Sequence, residues 1–134
     1  MNMPENALSV RQPWASAIIL RGKDVENRGW KCPSRWIGQR VLIHAGKALT
    51  ADEIESFKAT VDTIPGGWAT DGGNMIVRNL PLGGIIGSVE IVGCVEKSDS
   101  PWFCGPFGFV LARPEPLPFR PCRGMLGFFT PTYL

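Results

Sequence analysis

Residues 8–30 read LSVRQPWASAIILRGKDVENRGW, and they gather Arg11, Gln12, Lys23, Glu26 and Arg28 around one short apolar run. The run opens with helix-start chemistry: Gln12 leads into Pro13, whose fixed φ and missing N–H suit a first helical position. Trp14, Ala17, Ile18 and Arg21 recur at helical spacing, and Gly22 stops the run, so a helix is predicted over 13–21. Lys-x-x-Glu-x-Arg follows at once. If 25–30 is a strand, side-chain alternation puts Glu26, Arg28 and Trp30 on one face, with Lys23 at the corner beside them. A helix that delivers a lysine, a glutamate and an arginine to one place has the look of a built site.

Outward from this stretch, the pattern predicts strands over 7–10, 40–45, 83–96 and 107–113, with a last one over 124–130. A second helix is expected over 51–61, capped by Thr50 and carrying Asp52 and Glu53 in its first turn, where the helix dipole favours acids. Gly87 and Gly93 interrupt the long strand and read as bends or bulges. Residues 31–38, 63–74 and 98–105 read as loops, and 113–121 (RPEPLPFRP) holds too many prolines for a central strand. Five or six short strands with two main helices define an α+β domain built on a small mixed barrel.

The chain has 134 residues, 44% hydrophobic and 19% charged, as expected of one globular domain spanning residues 1–134. No stretch reaches the ~20 apolar residues that span a bilayer, and no export signal is read at the N-terminus, so a cytoplasmic location without membrane contact is expected. With no export signal read, Cys32, Cys94, Cys104 and Cys122 are expected as four reduced thiols, and with no Cys-x-x-Cys pair and His44 the one histidine, no metal site is expected. Net charge is only +2, but between Arg11 and Lys47 eight basic residues stand against two acids. That asymmetry suits an anionic partner on one face as well as it suits a solvated surface.

The Ser-x-x-Gln-Pro-Trp-Ala entry (Ser9 to Ala15), Gly22, Lys-x-x-Glu-x-Arg, the strand ending at His44, residues 84–92 and the closing Gly127-Phe128-Phe129 resemble the ASCH family (activating signal cointegrator homology). The resemblance covers residues 8–129 and implies a PUA-like barrel. It implies an RNA, single-stranded nucleic acid or nucleoside partner in RNA metabolism, transcription or translation, and no cofactor. Binding is then expected from Gln12, Glu26, Arg28, Trp30 and His44. Metal-independent hydrolases also occur in this family, as amidohydrolases on acylated pyrimidine nucleosides or as ribonucleases. For that alternative Lys23 and Glu90 are the candidate catalytic pair, Glu90 on strand position alone. A third reading is a protein-interaction module built on an exposed Trp102–Phe103 loop.

Several residues keep more than one reading from the sequence alone. Lys23 reads as a surface lysine after a helix end, as an amine activated by Arg28, or as a phosphate contact. Gln12 can both donate and accept beside free helix N–H groups. Trp14 reads as core, and Trp30, Trp36 and Trp68 read as packing or as stacking platforms for bases. His44 is an interior histidine or a ligand contact, and Glu90 an acid in an apolar strand that needs a partner.

Overall fold

The computed structural model describes residues 3–64 and 80–134. In chain order it holds β1 (Ala7–Val10), α1 (Trp14–Leu20), β2 (Val25–Arg28), a 3-10 turn (Ser34–Trp36), β3 (Arg40–Ala45) and α2 (Ala51–Asp62). These are followed by β4 (Gly84–Val95), β5 (Phe107–Pro121) and β6 (Phe128–Phe129). Trp68 and most of the expected loop over 63–74 lie outside the described residues.

The six strands form one sheet in the order β2-β5-β4-β3-β1-β6. β1 and β3 run parallel, with Ser9 opposite His44. Parallel neighbours need a crossover, and the segment carrying α1 and β2 supplies it. The other pairs are antiparallel. The sheet curls until its edges approach: Trp30, just past β2, meets Phe128 of β6 edge-on with ring centroids 6.1 Å apart. Arg28 of β2 also reaches Ser9 O on β1 at 2.7 Å. The result is a small PUA-like mixed barrel, half closed.

Strand alternation divides the apolar residues. Leu8, Val10, Val41, Ile43 and Ala45 share one cluster with Ala15, Ile18 and Ile19 of α1. Ala7, Leu42, Ile85, Cys122 and Phe129 form a second. α2 is held by a third, in which Phe57 and Val61 meet Ala17 of α1 and Trp102. Removing a buried branched side chain such as Ile18 would cost about 2–5 kcal/mol, most of it from the unfilled space. Thr50 caps α2 as expected, its hydroxyl accepting from Glu53 N at 3.1 Å.

The expected breaks in β4 are present, with register shifts between Ile85 and Gly87 and between Ile91 and Gly93. A Cβ at Gly87 would stand 2.6 Å from Glu115 O, so only glycine admits the neighbouring backbone there. One strand runs further than expected. Residues 113–121 do not leave the sheet but continue β5, pairing through Glu115, Pro116, Arg120 and Pro121 with β4. The physical reason lies in the other side of the strand: β2 covers only Phe107–Val110. Pro114, Pro116 and Pro118 alternate, so one uncovered side takes all three missing donors. Arg113, with φ 53°, marks the bulge where this edge portion begins. All four cysteines carry free thiols. Cys32 N donates to Cys94 Sγ at 3.3 Å, and burial, helped by Cys94, pushes the Cys32 thiol up to about 11.

Candidate functional site

α1 ends where Gly22 takes φ +75°, a conformation that strains any residue with a side chain. Arg21 N and Lys23 N both donate to Ala17 O, at 2.9 and 3.1 Å, and the turn aims Lys23 inward. Its side chain is 2% exposed, 5.8 Å from the Trp14 ring centroid. The ammonium donates to Val25 O and, at 3.1 Å, to Glu26 Oε1. The second Glu26 oxygen faces Arg28 Nη2 at 3.0 Å, and the same nitrogen donates to Ser9 O at 2.7 Å. One carboxylate therefore sits between two cations, in a setting where little water competes. Arg28 Nε is buried and has no acceptor.

Beyond Arg28 the network reaches β1 and β3. Ser9 Oγ lies 2.9 Å from His44 Nδ1, and His44 Nε2 lies 2.9 Å from Cys122 O. A carbonyl oxygen only accepts, so Nε2 carries the proton, and in the neutral ring Nδ1 accepts from the Ser9 hydroxyl. Gly124 closes over this pair: a Cβ there would stand 2.6 Å from His44 Cε1 and 3.0 Å from Ser9 Oγ.

These groups open on a cavity of about 1280 Å³. Its walls are α1 and α2, the loop around Trp102–Cys104 and the segment after β5. Basic side chains on the lining are Arg11, Lys23, Arg28, Lys47 and Arg123, against the acids Glu26 and Glu53. Neither acid is idle. Glu26 is shared as above, and Glu53 accepts from Arg11 at 3.2 Å and from the Trp14 indole at 2.7 Å. Lys47 and Arg123 are exposed at the rim. Asn27 fixes the opposite wall, donating to Trp102 O at 2.9 Å and accepting from Cys104 N and Gly105 N at 2.9 and 3.2 Å.

Of the residues expected from sequence, Lys23, Glu26, Arg28 and His44 line this one cavity. Gln12 does not. It is fully buried, its amide oxygen accepting from Ser16 N at 3.0 Å while its nitrogen donates to Ser16 Oγ and Pro81 O. That is a capping role for α1, whose first residue is Trp14, with Pro13 in the N-cap position. Gln12→Ala is therefore expected to lower stability by about 1–2 kcal/mol in a urea melt and to leave ligand affinity unchanged.

Trp30 is also elsewhere, because β2 stops at Arg28 and the alternation stops with it. Its ring packs edge-on against Phe109, centroids 5.2 Å apart. Trp36 stacks on Phe128 at 4.4 Å. Glu90 is not brought to Lys23: Arg113 Nε donates to it at 2.7 Å on the β4–β5 surface. That hydrogen bond, with the charges of Arg113 and Arg40, holds its carboxyl below the usual value. Trp102 is 5% exposed against Phe57, so the loop expected to display it does not. Ser9, Asn27, Lys47, Arg123 and Gly124 were not expected as site residues, although Ser9 opens the Ser-x-x-Gln-Pro-Trp-Ala entry and Lys47 ends the basic stretch. For Ser9 a signal existed: it is the one polar residue between Leu8 and Val10 in a strand otherwise apolar.

The curled sheet, the helix filling it and the basic cavity at its mouth define a PUA-like domain. Residues 8–104 match the ASCH domain family, and the chain belongs to that family. Activating signal cointegrator 1 of Homo sapiens is 27% identical over 131 residues, covering 87% of this chain and 20% of that protein. The Mus musculus protein of the same name is 29% identical over 90 residues, 67% of this chain and 14% of its own length. The chain thus spans about a fifth of the human relative's length. No helix among the described residues is long and apolar enough to cross a membrane.

Proposed function

We propose that this domain binds single-stranded RNA, with the phosphates held along the basic rim and the bases turned into the cavity. The observation that carries the reading is the charge of the lining among the described residues: five cations against two acids, both acids already bonded to cations. Such a surface attracts a polyanion, and neither of those two side-chain carboxylates is free to repel it. Trp14 and Phe103 add aromatic surface of the kind on which unpaired bases stack. Size separates a strand from a lone nucleoside. Small-molecule pockets run to about 300–1,000 Å³, and this cavity, at about 1280 Å³, is larger. The family membership and the name of its relatives, activating signal cointegrator, agree with a role close to gene expression.

Within this reading Lys23, Glu26 and Arg28 act together. Glu26 is committed to its two cations, so it sets the aim of Arg28 and does not itself read a base edge. The exposed Lys47 and Arg123 make the phosphate contacts. A hydrolase working through Lys23 and Glu90 finds no support in this geometry, since Glu90 is held by Arg113 away from the cavity.

Titration of a fluorescein-labelled single-stranded RNA at several salt concentrations tests the proposal. Affinity is expected to fall with salt, because each neutralised phosphate releases condensed counterions, at about 0.7 log units of affinity per log unit of salt. Binding that does not respond to salt, or no binding at low salt, would remove RNA as the ligand.

A further inference from the structure

Ser9 is the half-buried residue of a strand whose other three residues are buried, and it lines the cavity. Its proton has one good acceptor, His44 Nδ1 at 2.9 Å. The imidazole is fixed from behind by its Nε2–H donating to Cys122 O at 2.9 Å, and the Phe129 ring meets it edge-on at 5.8 Å. Parallel pairing of β1 with β3 puts Ser9 and His44 at the same register position, so backbone rather than a loop sets their spacing. Gly124 packs over the pair, and any Cβ there would meet both, so glycine is what lets the chain pass while Ser9 still lines the cavity. Arg28, bonded through Nη2 to the carbonyl of Ser9 itself, brings a cation beside the pair.

We propose that Ser9 and His44 form a nucleophile–base pair that deacylates esters of anionic alcohols, an activity separate from RNA binding. Ser9 Oγ attacks the ester carbonyl carbon while its proton passes to His44 Nδ1, and the carbonyl electron pair moves onto oxygen beside Arg28. Collapse of that oxyanion breaks the bond to the alcohol oxygen, which takes the proton from Nδ1 and leaves. Water then adds to the acyl-serine carbon and gives its proton to Nδ1. The bond to Oγ breaks, Oγ recovers the proton, and a carboxylic acid departs. Ester and water become acid and alcohol, and no other reactant is needed.

Two features set the substrate class. The residue behind His44 is a neutral carbonyl, which orients the ring but stabilises imidazolium less than a carboxylate would. Good leaving groups such as ester alcohols fit this pair, and amides do not. The exposed Lys47 and Arg123 on the lining select an alcohol that carries negative charge.

The test is a fluorophosphonate probe, which phosphonylates activated serines, applied to the whole chain with the adduct located by peptide mass. A single adduct on Ser9 is expected, forming about a hundredfold faster than on the urea-unfolded chain, the range a positioned base contributes. It should vanish in Ser9→Ala and slow by a similar factor in His44→Gln, with circular dichroism reporting that both variants fold. Should either variant fail to fold, the wild-type adduct site and its rate against the unfolded chain still decide. An adduct at other residues only, a Ser9 rate no faster than in urea, or equal labelling of folded His44→Gln would overturn the proposal.

Discussion

Glu26→Ala is expected to destabilise the protein by about 3–5 kcal/mol, the cost of breaking a buried ion pair from the side that both partners depend on. Lys23 and Arg28 are 2% and 19% exposed and share this one carboxylate. Without it two cations face each other where water screens poorly, while Lys23 keeps only Val25 O and Arg28 only Ser9 O among their hydrogen bonds in the site. For a domain of this size the loss corresponds to a fall in Tm on the order of 10 °C. Lys23→Met should cost less, about 1–2 kcal/mol, because Glu26 keeps Arg28 and the methionine stem fills the space of the lysine stem. Combining Lys23→Met with Glu26→Gln should cost less than the sum of the two, since residues in one network do not add. Urea melts of the three variants and of Glu26→Ala measure this. A Glu26→Ala loss no larger than that of Lys23→Met would mean that the carboxylate does not join the two cations.

The sequence expectation for Lys23 differed from this. A lysine one residue beyond a helix-stopping glycine reads as exposed, and replacing it then seems harmless to the fold. What the pattern does not reveal is that the Gly22 turn points backward: Lys23 N bonds to Ala17 O, six residues earlier, and the side chain goes under the helix end. The strands and both helices were legible because their signals are local. Gly22, the Thr50 cap and the apolar run of 40–45 each determine the residues beside them. The parallel pairing of β1 with β3 is not local, and neither is anything that follows from it. His44 could be placed in a strand by pattern, but its meeting with Ser9 depends on which strands are neighbours. Trp30 and Gln12 are not brought to the cavity, for similar reasons: one lies just past the point where β2 ends, and the other is consumed by a cap and by Pro81 O. Glu90 announced the need for a partner correctly; the partner was Arg113, which no spacing pointed to.

The largest effect on RNA binding is expected where exposed charge meets the cavity rather than in the buried network. Lys47→Glu combined with Arg123→Glu exchanges two cations for two anions on the lining. Each lost phosphate contact and each new repulsion weakens binding, and together they should lower affinity by about a hundredfold near physiological salt. Both residues are exposed. Stability should therefore change by no more than about 0.5 kcal/mol, and a lost affinity cannot be blamed on unfolding. The milder pair, Lys47→Ala with Arg123→Ala, should flatten the salt dependence by about 1.4 log units, twice the single-strand value per phosphate. Lys23→Met should behave in the opposite way. It weakens binding only through the position of Glu26 and Arg28, so its salt dependence should match that of the parent. Parallel salt titrations of the four proteins separate the two kinds of contribution. If the charge reversal leaves affinity intact, the strand lies on another basic face, such as the one where Arg35 covers the Trp36 ring at 4.7 Å. The cavity would then be left to the small esters that Ser9 and His44 are placed to cleave.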